Sequence, residues 1–265
     1  MKHHRSSEHP DLSYPKYRQL LEQLDRYRFA TTHQLARANA VSYRSHRSAL
    51  RQTLRQLRLL KSHDYVTRLE RRVGGWQGGS TIGIWAITTS GQRFLTGSTS
   101  RKRPHHISTT FLEHCLAVTE LQIIAQEVTA YTPSISVTMT TEPECWRRSL
   151  GPHGDTLTLK PDLEMRVDSA EYVDRYFVEV DRATENPARV IRKCWQYQQH
   201  RHTGLEQQHT GVYPAVVWVV PHHNRKQQLV RFITTEGLPQ EMFVVITPDQ
   251  FAPLIRDGPA MTGSP

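Results

Sequence analysis

The chain has 265 residues and an excess of positive charge that is concentrated in its N-terminal part. Its 34 Lys and Arg residues outnumber its 25 Asp and Glu residues, which gives a net charge of +9. Residues 1–104 hold 20 basic and 6 acidic side chains, a net charge of +14, whereas residues 105–265 hold 14 basic and 19 acidic ones, a net charge of −5. This length and this change of sign predict a basic, polyanion-binding module joined to a second domain with a different role.

Composition excludes several classes of protein. No stretch approaches the ~20 consecutive apolar residues of a membrane-spanning helix, and residues 1–8 lack the apolar segment of a secretory signal. The three cysteines are odd in number and form no Cys-x-x-Cys pair, which argues against a disulfide framework or a cysteine-based zinc site. We therefore expect a cytoplasmic protein without a membrane partner.

The N-terminal part has the pattern of a small helical domain. Residues 1–15 are polar and show no periodicity, which predicts a disordered tail, and residues 16–97 are predicted to form the domain itself. Its first helix begins near Tyr17, and its second begins at residues 31–34, where a Gln follows a Thr at capping-box spacing. Three short helices with tight connections, the third over residues 45–60, are typical of a helix-turn-helix core.

The third predicted helix carries a row of arginines, and no Asp or Glu is interspersed among them. At about 100° per residue these arginines fall within an arc of roughly 80°, while Leu50, Leu54 and Leu57 are predicted to form the apolar face. Arginine suits contact with DNA because its planar fork binds phosphate or guanine edges through two hydrogen bonds. The alternative is an ordinary solvent-exposed charged helix. The residues expected to contact DNA here are Arg44, Arg47, Arg51, Arg55 and Arg58.

A pair of strands with a glycine-rich connection is predicted directly after this helix. The strands cover residues 65–69 and 82–87, and residues 74–79 between them contain four glycines. Such a hairpin after a helix-turn-helix core predicts the wing of a winged-helix domain. Arg71 and Arg72 would then neutralise DNA phosphates.

The remaining residues predict a second domain. Residues 98–106 are polar and basic and coincide with the change of charge sign, which indicates a linker, and residues 253–265 are predicted to be a tail. Between them, residues 107–252 show the order helix, three strands, helix and strand, an αβββαβ arrangement. The apolar run at 215–220 is typical of a strand covered on both faces. We therefore predict a mixed sheet with packed helices, within a two-domain α+β protein.

Three carboxylates of the second domain are predicted to lie together. Glu179 and Asp181 alternate on one strand and so project from one face, and Asp162 begins the preceding strand. Carboxylates that share one patch raise each other's pKa unless a cation is present. A hard cation such as Mg²⁺ or Mn²⁺ suits such a group and activates water against a phosphodiester.

A lysine on the following helix completes the candidate catalytic set. Lys193 could stabilise the negative charge that develops on a phosphorus centre. The alternative interpretation is structural: Asp162 caps a turn, and Arg182 or Arg189 pairs with Glu179.

The order of these motifs resembles known families. Residues 160–162, 179–181 and 192–197 read Lys-Pro-Asp, Glu-Val-Asp and Arg-Lys-x-x-x-Tyr, and they resemble the core of the PD-(D/E)xK nuclease superfamily. More narrowly, residues 15–250 resemble the replication-relaxation family of plasmids and mobile elements. The segments that carry this resemblance are 114–121, 142–146, 176–182 and 189–197.

The resemblance implies a winged-helix protein needed for plasmid replication and DNA relaxation, with a restriction-endonuclease-like second domain. It implies that Asp162 and Glu179 bind a metal ion, with Glu120 as an additional acid. The chain departs from the superfamily motif at Asp181, because the motif has a lysine there and a carboxylate cannot stabilise negative charge. Either Lys193 supplies the cation, or the fold persists without its chemistry.

These observations lead to three hypotheses on function. The first is a DNA-binding accessory protein for replication or mobilisation of a plasmid-like element, with double-stranded DNA and replication or conjugation proteins as partners. The second is an endonuclease or nickase that depends on Mg²⁺ or Mn²⁺; without catalysis, no cofactor is expected. The third is a transcriptional regulator whose second domain dimerises or senses a ligand. An oligomer is compatible with all three.

Overall fold

The computed structural model describes residues 15–69, 83–97, 108–151, 154–183 and 186–259. The chain divides into two units, residues 1–123 and 124–265. Each unit combines helices with a β-sheet of its own, so the protein has an α+β fold. Within the described ranges, every helix is too short or too polar to cross a lipid bilayer.

Unit 1 consists of short helices and a three-stranded antiparallel sheet. Its elements are α1 (Pro15–Tyr27), β1 (Ala30–Thr31), α2 (Thr32–Ala38), a 3-10 turn (Ala40–Ser42), α3 (His46–Ser62), β2 (Val66–Leu69), β3 (Ile84–Ile87), α4 (Thr89–Thr96) and the first part of α5 (Thr109–Tyr131). The strand order is β1-β3-β2. The three helices α1, α2 and α3 and the sheet share a core that includes Leu24, Leu35, Leu57 and Trp85.

Capping side chains determine where α2 and α3 begin. The Thr31 hydroxyl accepts a hydrogen bond from the Gln34 backbone N–H at 3.1 Å, and the Gln34 side chain accepts one from the Thr31 backbone N–H at 2.9 Å. The predicted capping box is therefore confirmed. Ser45 and Ser48 form the same reciprocal pair at 3.2 Å, and each pair satisfies N–H groups that the helix itself leaves unpaired. As a result, α3 begins at His46.

The buried side of α3 differs from the predicted one. Four residues at three- and four-residue spacing are fully buried: Ala49, Thr53, Leu57 and Leu60. Leu50 and Leu54 are only half-buried. The prediction was partly wrong. It assigned the apolar side from the positions of the leucines, whereas the small side chains of Ala49 and Thr53 let α3 approach its neighbours closely.

The first part of α5 packs within unit 1. Leu112 and Leu116 join Phe29 and Ile84 in an apolar cluster. The division between the units therefore falls inside α5, whereas the sequence predicts a boundary before this helix. The N–H of Phe111 donates to the Ser108 hydroxyl at 3.1 Å, at the start of the helix. Several predicted features lie outside the described residues: the linker 98–106, residues 1–14 of the N-terminal tail, the glycine-rich connection and residues 260–265 of the C-terminal tail.

Unit 2 is organised around a five-stranded mixed sheet. Its elements after α5 are β4 (Ser136–Thr141), β5 (Arg147–Leu150), β6 (Thr156–Leu159), β7 (Leu163–Asp168), β8 (Val173–Val180), α6 (Pro187–His202), α7 (Leu205–Thr210), β9 (Ala215–Val219), α8 (His223–Thr235), β10 (Phe243–Ile246) and α9 (Phe251–Asp257). The strand order is β10-β9-β8-β7-β4. Strands β4, β7 and β8 pair antiparallel, and β8, β9 and β10 pair parallel, so the predicted mixed sheet is confirmed.

Helices α6 and α8 pack on this sheet through a shared apolar core. Val190 and Tyr197 of α6 and Leu229 of α8 contact a cluster that includes Phe177 and Trp218 of the sheet. The Asn186 side chain accepts a hydrogen bond from the Ala188 N–H at 3.0 Å, and Pro187 is the first residue of α6, so the two residues together determine where this helix begins.

Two predictions about element boundaries in unit 2 were wrong. The alternation of apolar and polar residues over 159–167 predicts a single strand, but this stretch is divided into β6, which forms a hairpin with β5, and β7. Pro161 lies at the division, where it provides no N–H for strand pairing. The predicted tail at 253–265 begins inside α9, because Phe251, Leu254 and Ile255 are fully buried.

The burial of α3 leads to a prediction on stability. Leu57→Ala should lower the free energy of unfolding by about 2–5 kcal/mol because it leaves a cavity in the unit 1 core. Leu50→Ala should lower it by less than about 1.5 kcal/mol, because the side chain is already partly in water. Urea unfolding followed by circular dichroism measures both. Equal losses would contradict the assignment of the buried side.

Candidate functional site

The solvent side of α3 carries a continuous row of arginines. At about 100° per residue, the row lies on the side of the helix opposite Thr53 and Leu57. All five guanidinium-bearing residues are exposed. We call this set the arginine face; it consists of Arg47, Arg51, Arg55 and Arg58 on α3 and of Arg44. The sequence places Arg44 on the same helical stripe, but it lies two residues before His46, because the extended N-cap Ser45 begins the helix.

The arginine face is not neutralised by nearby acids. Among the described residues, no Asp or Glu forms an ion pair with any of its five members. Other arginines of unit 1 do have such partners: Arg18 pairs with Glu22 at 2.8 Å, and Arg37 pairs with Glu120. Like charges at this spacing repel one another, and a bound anion would offset this repulsion.

A groove runs beside the arginine face. It has a volume of about 920 Å³ and lies between the first turn of α1, the connection before α3 and one flank of α3. Lys16 and Tyr43 line it, with the Lys16 ammonium 4.9 Å from the centre of the Tyr43 ring. Arg44, Arg55 and Arg58 line the α3 side. The two other predicted DNA contacts, Arg71 and Arg72, lie outside the described residues.

In unit 2, Glu179 is held on β8 by two side chains of α6. Its side chain is only 2% exposed, and its two oxygens accept hydrogen bonds from Lys193 Nζ and from the Tyr197 hydroxyl, each at 2.5 Å. Burial raises the pKa of Glu179 to about 8, against the opposing effect of the Lys193 ammonium group. The alternative prediction that Arg182 or Arg189 pairs with Glu179 is therefore wrong.

Asp162 lies beside this pair. Its Oδ2 accepts a hydrogen bond from the Val180 backbone N–H at 2.8 Å. Burial acts against the charge of Lys193, but attraction to the Glu179 and Asp162 carboxylates outweighs it, so the pKa of Lys193 rises. The structure thus brings Asp162, Glu179 and Lys193 together, and we call these three residues the carboxylate–lysine cluster.

Asp181, the residue at the position of the motif lysine, has a different partner. It follows β8, and its carboxylate accepts hydrogen bonds from Arg225 Nε at 2.6 Å and Arg225 Nη2 at 3.3 Å. The pair is almost fully buried, with side chains 1% and 6% exposed. The Ala183 N–H also donates to Asp181 Oδ1 at 3.0 Å. Both oxygens of Asp181 are therefore committed to this structural contact.

Glu120, the additional acid implied by the resemblance, has its partners within unit 1. It accepts hydrogen bonds from Arg37 and, at 3.0 Å, from the Gln34 side chain, both on α2. Gln34 also donates to the Leu116 carbonyl at 3.0 Å. In this arrangement, Glu120 links α5 to α2.

The carboxylates described at the end of β8, Glu179 and Asp181, do not fit a bound Mg²⁺ or Mn²⁺ ion as they are arranged. Both oxygens of Glu179 accept hydrogen bonds from α6 side chains, and both oxygens of Asp181 contact Arg225. In the described part of the chain, no group of three or more His, Cys, Asp and Glu side chains is placed to hold a metal ion. A cation that needs about six oxygen ligands would have to displace Lys193 and Tyr197 from Glu179.

Sequence reasoning missed Arg225 and the groove. A signal for Arg225 was present, because it precedes Leu229 and Ile233 at four-residue spacing and so belongs to the buried side of α8. A charged residue on an apolar stripe predicts a buried partner. No comparable signal existed for Lys16 and Tyr43, which meet across the groove only through the packing of α1.

The structure therefore defines an α+β protein with an exposed cationic helix in one unit and a buried charged cluster in the other. A family model described as Replication-relaxation matches residues 21–216. This match covers most of the chain, which belongs to the replication-relaxation family. The family associates the protein with the replication or relaxation of plasmids or mobile elements. No curated protein and no solved structure matches the chain.

The buried Asp181–Arg225 pair leads to a second prediction. Arg225→Met should lower the free energy of unfolding by about 3–5 kcal/mol, because it leaves a buried carboxylate without its cation. Asp181→Leu in the same chain should recover most of this loss, since no unpaired charge then remains. Chemical unfolding measures all the variants.

The matched control is the exposed Arg166–Asp168 pair, whose side chains are 44% and 29% exposed. Arg166→Met should change the free energy of unfolding by less than about 1 kcal/mol. A loss at Arg225 as small as that at Arg166 would contradict a structural role for the buried pair.

Proposed function

We propose that the protein is a DNA-binding accessory factor in the replication, relaxation or mobilisation of a plasmid or mobile element. The observation that carries this proposal is the arginine face, with five exposed guanidinium groups and no ion pair to a described acid. Membership of the replication-relaxation family supplies the biological context. Double-stranded DNA is the polyanion with the repeating charge that such a row of arginines suits.

The order of elements in unit 1 supports a winged-helix domain. Helices α2 and α3 follow one another through a short connection, and β2 and β3 then pair antiparallel, with β1 on the other side of β3. In a helix-turn-helix domain, the second helix enters the major groove. That helix is α3, so Arg47 and Arg51 would enter the groove, while Arg44, which precedes α3, and Arg71 and Arg72 would contact the backbone.

The charge distribution supports the same assignment. Residues 1–104 carry a net charge of +14, and each arginine that binds a phosphate releases a condensed counterion. Affinity for duplex DNA should therefore fall steeply as the salt concentration rises. A plain solvent-exposed helix would show no such dependence.

For unit 2 we propose a nuclease-like scaffold that contacts DNA or replication and conjugation proteins. Its mixed sheet and the convergence of Asp162, Glu179 and Lys193 support a relation to the nuclease core. The internal pairing of these groups, and of Asp181 with Arg225, favours a structural role over metal-dependent cleavage.

The test of DNA binding is a double substitution in the arginine face. Arg47→Ala/Arg51→Ala should weaken binding to duplex DNA by about 30-fold or more, because each lost contact accounts for about 1 kcal/mol or more. The affinity of both proteins should still fall as the salt concentration rises, because the phosphate contacts of the other basic residues remain. Fluorescence anisotropy across a salt titration measures both quantities.

The matched control for this test is Arg26→Ala. Arg26 is exposed at the other end of α1 from Lys16, about 15 Å along the helix axis. Its loss removes one charge from unit 1 and should change affinity by less than about threefold. Equal affinities of wild type and the double variant at every salt concentration would overturn the proposal.

A nicking assay tests whether unit 2 is only a scaffold. Purified protein should leave supercoiled plasmid intact with Mg²⁺ or Mn²⁺, because the Glu179 and Asp181 oxygens are already bound by protein groups. Asp162→Ala serves as the control for contaminating nucleases. Metal-dependent nicking by the wild type that disappears in Asp162→Ala would establish the endonuclease alternative instead.

Genome-wide binding separates the accessory role from that of a transcriptional regulator. An accessory factor should occupy sites on the mobile element, and its loss should lower the copy number or transfer of that element. Binding confined to promoters, with copy number unchanged, would favour a regulator.

A further inference from the structure

The members of the arginine face fall into two sets with different surroundings. Arg44, Arg55 and Arg58 line the groove beside α3. Arg47 and Arg51 do not line it; they lie in the first two turns of α3 and are exposed to solvent. The two sets therefore face different parts of any duplex that docks on this side of the helix.

The groove has the composition of a phosphate-binding surface. Lys16 faces the three arginines from α1, and Ser48 and Ser62 contribute hydroxyl groups. No Asp or Glu is present among its described lining residues. Lysine and serine bind phosphate oxygens without regard to sequence, as arginine also does when it lies along a backbone. The groove thus suits one sugar–phosphate strand.

Arg47 and Arg51 have the geometry of base-reading residues. They are one helical turn apart, about 6 Å along the axis, which is close to two base-pair steps at 3.4 Å each. Base edges are contacted by the N-terminal turns of a recognition helix. The most frequent specific contact there is an arginine fork on guanine O6 and N7. Neither arginine forms an ion pair with a described acid, so both guanidinium groups can bind a base edge.

We infer that the arginine face recognises guanine through Arg47 and Arg51, while Lys16, Arg44, Arg55 and Arg58 hold the phosphates of one strand. This inference rests on the proposed function and adds a target class to it: duplexes with two guanines about two base pairs apart. The groove residues set the affinity, and the two free arginines set the sequence preference.

The experiment uses the whole chain and a random-sequence duplex library. Duplexes that bind the wild type are selected, and affinity is measured on a selected duplex and on a scrambled one. A third duplex has 7-deazaguanine in place of guanine, which removes the N7 acceptor and leaves the backbone unchanged. The selected duplexes should share guanines, and the replacement should weaken binding about 5- to 150-fold per contacted guanine.

Two pairs of substitutions separate the roles of the two sets. Arg47→Lys/Arg51→Lys keeps both charges but removes the planar forks. This variant should bind the scrambled duplex within about threefold of wild type and should lose the preference for the selected one. Arg55→Ala/Arg58→Ala should weaken binding to all the duplexes alike and lower the salt slope by about 2, because two phosphate contacts are lost.

The inference is overturned if the selected duplexes share no guanine, if 7-deazaguanine has no effect, or if the lysine variant keeps the wild-type preference. In these three cases duplex binding by the wild type still supports the proposed function. Failure of the wild type to bind any duplex at low salt would overturn both.

Discussion

Burial of one side of α3 constrains the placement of charge in unit 1. Leu57 and Leu60 are fully buried in a core shared with α1, α2 and the sheet, and Thr53 is buried on the same side of α3. The helix therefore cannot rotate about its axis without exposing a leucine or burying a guanidinium group. An unpaired arginine in the core would destabilise the fold by several kcal/mol. The packing that holds the unit together therefore also keeps the five arginines in solvent. The stability of the core and the capacity to bind a polyanion depend on the same contacts, which is why a substitution such as Leu57→Ala would affect both.

The two units differ in whether their charged side chains are paired within the protein. The arginines of α3 have no described acidic partner and keep their capacity to bind an external anion. The acids at the end of β8 are each matched by a cation from a helix: Glu179 by Lys193 of α6, and Asp181 by Arg225 of α8. Both pairs join a helix to the sheet on which it packs. The net charge of +9 is therefore the sum of a basic surface in unit 1 and a second unit in which Glu179 and Asp181 are paired with cations of the protein.

The features that could be predicted from sequence are those that depend on local periodicity. The exposure of Arg47 and Arg51 follows from the helical repeat, and the start of α2 follows from the side chains of Thr31 and Gln34. The meeting of Asp162 with Glu179 follows from the pairing of β7 with β8. The partner of Asp181 could not be predicted in this way. Arg225 lies 44 residues away. It reaches Asp181 because β9 pairs parallel with β8, which places the start of α8 at the same edge of the sheet as the end of β8.

The contact between Asp181 and Arg225 also explains the departure from the nuclease motif. A lysine at position 181 would place an ammonium group against the guanidinium of Arg225 in a site that excludes water, and two buried like charges would repel strongly. A chain with Arg225 therefore needs an acid at 181, and restoring the motif lysine would require a second change on α8. Lys193 does not take over the role of that lysine in this arrangement, because its ammonium group is bonded to Glu179 itself. In the nuclease-like scaffold that we propose for unit 2, position 181 therefore serves as a contact between the sheet and α8.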